Sequence, residues 1–154
     1  MPATRVAFAD TNWLVSAYHE NRDSRLVREW VAAGASTVVV SVAVLAECQC
    51  NFWRVGKEWP ALERDVRSGM WIDCGQTFEG MVELAGDLFR RFAPRCNAGT
   101  LDLLHVAAAR RFGCRWFLSF DSNSACRAVA YESGLRLFPP LNAQDRVWLK
   151  KFGH

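Results

Sequence analysis

Val6-Ala7-Phe8-Ala9-Asp10-Thr11-Asn12 opens as an apolar run, stops at an acid and passes into a segment with helical apolar spacing. That is the pattern of a buried strand feeding a helix, with Asp10 at the strand's carboxyl end. In open α/β sheets ligands bind in the crevice outside the carboxyl ends of the strands. An acid at that place is either a solvated strand terminus or the first ligand of a site.

The same alternation repeats outward from this stretch. Thr11–His19 reads as a short helix, and Asp23-Ser24 can cap a second over Arg25–Ala33, closed by Gly34. Thr37–Val40, short and β-branched, reads as a buried strand. Ser41 can then cap a long helix to about Val55, with Val44, Leu45, Cys48 and Phe52 at helical spacing and Glu47 in its first half. Beyond Gly56 and Trp59-Pro60 the pattern predicts a helix from Pro60 to about Ser68 and a short strand at Met70–Ile72. Thr77 can cap a helix through Phe92, with Phe78, Met81, Leu84, Ala85, Leu88 and Phe92 as its apolar stripe. Thr100 caps Leu101–Phe112, where Arg110-Arg111 suit the C-terminal dipole and Gly113 ends the helix. Trp116–Phe120 is a strand ending at Asp121, Ser122–Ser133 a helix closed by Gly134, and Leu135–Phe138 the last strand. Asn142–His154 is either a terminal helix or a loose tail. Such alternation implies a three-layer α/β/α sandwich on a mostly parallel sheet. One domain over residues 1–154 is expected, with a core of about residues 5–140 and a C-terminal tail of 141–154.

Composition agrees with this scale. A chain of 154 residues that is 51% hydrophobic and 23% charged can bury a sizeable single core. Net charge is +3, and sixteen of the nineteen cations are arginine, the side chain that grips phosphate through two parallel bonds. A phosphate-bearing partner and a genome-wide arginine bias account for this equally well. The six cysteines contain no Cys-x-x-Cys pair, and Cys48 and Cys50 do not face each other on a helix. With no secretory leader in view, most are expected to be buried thiols rather than disulfides. The longest apolar run, Val38–Ala46, is too short to span a bilayer and contains Ser41. A cytoplasmic protein with no membrane partner is expected.

Four acids then stand apart. Asp10 ends the first strand, Glu47 lies about two turns into the helix after the second, Asp102 occupies a helix's first turn, and Asp121 follows Ser119-Phe120. Their neighbours are mostly apolar, whereas Glu29, Glu63, Asp65, Glu83, Asp87 and Glu132 fall on polar helix faces. Each alone has an ordinary explanation: a turn former, a helix-dipole acid, a solvated helix residue. Together those explanations must place four acids in apolar settings at one edge of one sheet. Converging carboxylates repel, and a hard divalent cation relieves the repulsion.

Asp10-Thr11-Asn12, Glu47 in its helix, Thr100-x-Asp102 leading into Leu-His-Val-Ala-Ala-Ala, and Ser119-Phe120-Asp121 resemble the signature of PIN-domain nucleases. With Gly134-Leu135 before the last strand, the pattern over about residues 5–140 is similar to VapC-type toxins of toxin–antitoxin pairs. The resemblance implies an endoribonuclease dependent on Mg²⁺ or Mn²⁺. Asp10 and Asp102 would be its firmest metal ligands, Asp121 would support the site and Glu47 would complete it. Thr11, Asn12 and Ser119 match residues that hold the acids or a bound water. Asn123 stands where some members carry a further acid, so a second metal is not implied. In-line attack by an activated water would leave a 3′-hydroxyl and a 5′-phosphate. The implied partners are RNA, an antitoxin that inserts a basic side chain toward the acids, and a second copy in a homodimer. Cellular RNA-processing PIN proteins share the motif.

Two further features bear on function. His105 shares a helix face with Asp102, as a metal ligand, a proton shuttle or a packed core histidine. Asn51–Trp59 mixes Phe52, Trp53 and Trp59 with Arg54 and Lys57, which suits single-stranded RNA, a subunit or antitoxin interface, or core packing. Two rival functions fit less of the pattern. A phosphatase with a strand-end aspartate nucleophile would carry an acid at position 12, which is Asn. A non-catalytic scaffold of the same fold has no use for four repelling acids.

Overall fold

A computed structural model describes residues 4–56 and 59–153. The strands are β1 (Arg5–Ala9), β2 (Ser36–Val40), β3 (Ile72–Asp73), β4 (Trp116–Leu118) and β5 (Arg136–Phe138). The helices are α1 (Thr11–Ser16), α2 (Ser24–Ala32), α3 (Val42–Val55), α4 (Trp59–Arg67), α5 (Phe78–Phe92), α6 (Thr100–Phe112), α7 (Cys126–Glu132) and α8 (Ala143–Lys151). All strand pairs are parallel, in the order β3-β2-β1-β4-β5. The chain therefore steps outward from β1 to β3, then returns to lay β4 on β1's other side. That reversal is the topological switch point, where a crevice opens at the carboxyl ends of the strands.

β1 is central, and Ala7, Phe8 and Ala9 are wholly buried, as expected for a parallel strand covered on both faces. Phe8 stacks on Phe117 of β4 with ring centroids 5.8 Å apart. Among the helices, α1 packs on α3, α5 on α6, and α7 on α8. The three-layer α/β/α arrangement is thus the one the alternation implied. Ser41 caps α3 by accepting from the Val44 amide at 3.2 Å, and Thr77 caps α5 by accepting from Gly80 at 3.0 Å. The C-terminal segment is helical, because Asn142 and Asp145 form a reciprocal capping pair at its start.

Several element ends differ from expectation for local reasons. α1 stops at Ser16, whose hydroxyl bonds back to Asn12 O and whose carbonyl accepts from Ser24 Oγ, both at 2.8 Å. The α6 cap is Gly99 rather than Thr100, and Asp102 Oδ2 accepts from its amide at 3.0 Å. β4 ends at Leu118 rather than Phe120, since the Phe120 amide donates to Asn12 Oδ1 instead of a strand. α7 starts at Cys126 rather than Ser122, because Asp121 Oδ1 accepts the Asn123 and Ser124 amides in a tight turn. β3 lies at Ile72–Asp73, later than the expected Met70–Ile72. On α5 the stripe is narrower than predicted: Phe78 and Leu84 are 51% and 41% exposed. All six cysteines are free; Cys48, Cys114 and Cys126 are buried but Cys50 is exposed, and Cys74 and Cys96 are intermediate. Among the described residues no helix is long and apolar enough to cross a membrane.

Candidate active site

A cleft of about 320 Å³ opens at the switch point, and Asp10, Glu47, Asp102 and Asp121 all line it. They arrive from different places: the end of β1, the middle of α3, the first turn of α6 and the loop after β4. Asp10 is the deepest, only 4% exposed. Its Oδ1 accepts from the Thr11 amide and its Oδ2 from Ser119 Oγ, both at 2.8 Å. Ser119 Oγ in turn accepts from the Asp121 amide at 3.1 Å, so one hydroxyl holds two of the acids in register.

Glu47 is half-buried, and two donors converge on its Oε1: Thr11 Oγ1 at 2.7 Å and His105 Nε2 at 2.7 Å. An ionised carboxylate only accepts, so His105 carries its proton on Nε2. Nε2 also lies 3.7 Å from Asp10 Oδ1, while the buried Nδ1 has no hydrogen-bond partner among the described residues. His105 is therefore both a packed core histidine, tilted against Phe8, and a direct neighbour of two acids. Ser124, which the sequence did not single out, donates to Asp121 Oδ2 at 2.5 Å, with Asp102 Oδ2 at 3.3 Å as the other acceptor within reach of its single proton. Its signal was the Asp-x-x-Ser spacing of a polar turn.

Burial pushes the Asp10 carboxyl above its ordinary range; His105 and the Ser119 hydrogen bond pull it back, and the Asp102 charge adds a smaller upward push. Burial also raises Asp102, with Asp121 repulsion contributing less. Desolvation thus outranks the like-charge repulsion on which the converging acids were first read. Glu47 also feels burial, but the His105 and Thr11 bonds outweigh it and hold its carboxyl below the usual range. Burial pushes His105 down, and the surrounding carboxylates of Glu47, Asp10 and Asp102 outweigh it, so the imidazole is held up.

Asn123 meets Asp121 through its backbone. Its side chain is not part of the cleft lining; its amide serves Asp121 and its carbonyl accepts from Asn97 Nδ2 at 2.9 Å. The lining also includes Asn21, Asp23 and Asn51; of these, Asp23 had been read as a helix cap and Asn51 as the start of the aromatic-basic segment. In the aromatic-basic segment Phe52 is wholly buried and closed to any partner, whereas Trp53 is 69% exposed. Trp59 packs partly against the core, and Lys57 lies outside the described residues.

Among the described residues, no group donates to Glu47 Oε2 or Asp102 Oδ1. These are hard oxygen donors of the kind Mg²⁺ or Mn²⁺ takes. Among the same residues, no three His, Cys, Asp or Glu side chains already stand as a closed metal-holding group. The acids share a cleft without forming a finished chelate.

A model of the PIN domain matches residues 7–130. The chain belongs to the PIN domain family. No curated protein matches the chain significantly. Two solved structures share the PIN domain's fold. One is VapC20 of Mycobacterium tuberculosis, described as a sarcin-ricin loop cleaving toxin. It aligns with a TM-score of 0.62 at 18% identity, covering 84% of this chain and 95% of that one. The other is VapBC2 of Rickettsia felis bound to a promoter DNA fragment. It aligns with a TM-score of 0.59 at 19% identity, covering 86% of this chain and 96% of that one.

Proposed function

We propose that this PIN domain is a Mg²⁺- or Mn²⁺-dependent endoribonuclease and the toxin of a toxin–antitoxin pair. The observation that carries the proposal is the delivery of four carboxylates, each tethered by hydroxyl, amide or imidazole donors, to one cleft at the switch point. The donor set fits a hard cation: Mg²⁺ keeps several of its waters and needs only one or two carboxylates, so an open arrangement suffices. Asp10, Asp102, Asp121 and Glu47 would hold it. A metal bound there supplies an activated water and stabilises the leaving oxygen of a phosphodiester.

The chain's own part is orientation. Thr11 and His105 fix Glu47, Ser119 fixes Asp10, and Ser124 ties Asp102 to Asp121. No side chain need be the nucleophile, and the expected products carry a 3′-hydroxyl and a 5′-phosphate. The VapC folds of the two neighbours support RNA as substrate and an antitoxin as partner. Exposed Trp53 and Arg54 on α3 are proposed to contribute to the antitoxin or homodimer contact.

The test is cleavage of a mixed RNA panel with Mg²⁺ or Mn²⁺, with EDTA, and by Asp10→Asn. Metal-dependent cleavage leaving 5′-phosphate ends, lost in EDTA and in the variant, is the expected result. Full activity in EDTA would overturn the metal mechanism, and no cleavage of any RNA would favour a binding scaffold.

A further inference from the structure

The PIN domain match ends at residue 130, yet a residue beyond it is wired to the cleft. Asp145, in the first turn of α8, is buried and meets Arg127 of α7, which is 1% exposed. Arg127 Nη2 and Nε donate to Asp145 Oδ2 at 3.0 and 3.2 Å. The rest of the guanidinium reaches backbone. Nη1 donates to Ser119 O at 2.5 Å, and Nη2 to Pro139 O at 2.6 Å and Pro140 O at 3.0 Å.

These carbonyls lie just past the ends of β4 and β5, where the ladder has stopped; the Ser119 acceptor is buried and needs another donor, and the Pro139 and Pro140 contacts are part-buried. Arg127 supplies them, and its planar fork serves both strand exits at once, which a lysine could not do. Ser119, whose carbonyl is gripped on this side, presents its hydroxyl to Asp10 Oδ2 and to the Asp121 amide on the other.

We propose that α8 is a working part of the site: Asp145, acting through Arg127, is a positioning residue that fixes Ser119 and through it Asp10 and Asp121. Asp145 orients the guanidinium, and the guanidinium sets the height of the Ser119 backbone. The effect on cleavage rests on the nuclease function proposed above; the effect on Ser119 does not.

The test replaces the pair as a unit, Arg127→Met with Asp145→Leu, because an apolar pair of similar volume leaves no lone buried charge. Two readouts are taken well below the melting temperature: kcat and KM on RNA, and hydrogen exchange of the Asp121 amide against those of Phe8 and Val39. We expect kcat to fall about 10–100-fold, the range for losing a group that orients a metal-site ligand. KM should stay within about twofold, since no substrate contact is removed. The Asp121 amide should exchange at least about tenfold faster while the β1 and β2 amides do not change. Arg28→Gln, which breaks the exposed Arg28–Glu20 pair, should change neither readout.

Unchanged kcat with unchanged Asp121 exchange overturns the proposal. So does slower cleavage in which Phe8 and Val39 exchange faster by the same factor, which is general loosening. If the wild type cleaves no RNA the nuclease function fails separately, and exchange at Asp121 alone decides the matter. If the double variant does not fold, Asp145→Asn keeps shape and an acceptor and is read the same way, with a smaller effect.

Discussion

On one side of Ser119 the carboxylates of Asp10, Glu47, Asp102 and Asp121 line an open cleft; on the other, the Asp145 carboxylate meets Arg127 in the interior. Both clusters bury charge, and they do it differently. The Arg127 cluster is closed: cation, anion and three backbone carbonyls satisfy one another. The cleft is open: its acids receive hydroxyls, amides and one imidazole, yet Glu47 Oε2 and Asp102 Oδ1 accept nothing among the described residues. A closed cluster has no capacity left for a ligand. An open one of a single sign has both the capacity and the electrostatic reason to take a cation.

If that contrast is right, the largest effects lie in the open cluster. Asp10→Asn or Asp102→Asn should lower the RNA cleavage rate by about 100-fold or more, as for other losses of groups that stabilise developing charge. Circular dichroism should show the fold retained. An active Asp10→Asn variant would make the cleft acids ordinary strand-end residues.

His105→Leu comes next. It keeps the packing against Phe8 but removes the buried donor to Glu47. Mn²⁺ affinity, measured by calorimetry, should weaken about 10–100-fold, with partial recovery in His105→Gln. Equal affinity in both variants would reduce His105 to core packing.

A smaller effect concerns pH in EDTA-treated protein. Asp10 and Asp102 have raised folded pKa values, so the folded state holds their protons longer than the unfolded state does. Their contribution is full below the ordinary aspartate range and is lost as pH rises through the folded values. His105, also raised, contributes below its ordinary value and loses that contribution as pH rises through its own folded value. Glu47, lowered, acts oppositely: its contribution is present above the ordinary glutamate range and is lost on acidification. The urea midpoint of Asp102→Asn should therefore fall less steeply than wild type between acidic and neutral pH. A parallel fall in both proteins would remove Asp102 from the cluster. The smallest effect is Trp53→Ala, which should change stability by no more than about 0.5 kcal/mol because the side chain is 69% exposed. Binding of the proposed antitoxin should nevertheless weaken; unchanged binding would move that contact elsewhere.

How much of this was legible in the sequence follows from the range of the interactions. β1, Ser41 with α3, and the four acids were legible because apolar runs, caps and strand-end acids are local patterns. The end of β4 was not, because Phe120 pairs with Asn12, far back in the chain. Nor was the late start of α7, where the Asp121 side chain takes two amides that a helix would otherwise use. Phe52 was legible both as part of the apolar stripe of α3 and as a member of the segment with Trp53 and Arg54, and the fold shows that it faces the core. Asp145 had a legible signal in Asn142-x-x-Asp145, but its pairing with Arg127 required α7 and α8 to be packed together.

The most direct test of the central claim, that the cleft acids form one cation site, is stabilisation by Mg²⁺ without any RNA. Mass action on the folded state predicts about 2.7 kcal/mol for wild type at a hundredfold excess over Kd. Asp102→Asn should gain far less, and Glu83→Gln, on an exposed face of α5, should gain as much as wild type. If Mg²⁺ stabilises wild type and Asp102→Asn equally, Asp102 is only the acid that starts α6, and the cation site as described does not exist.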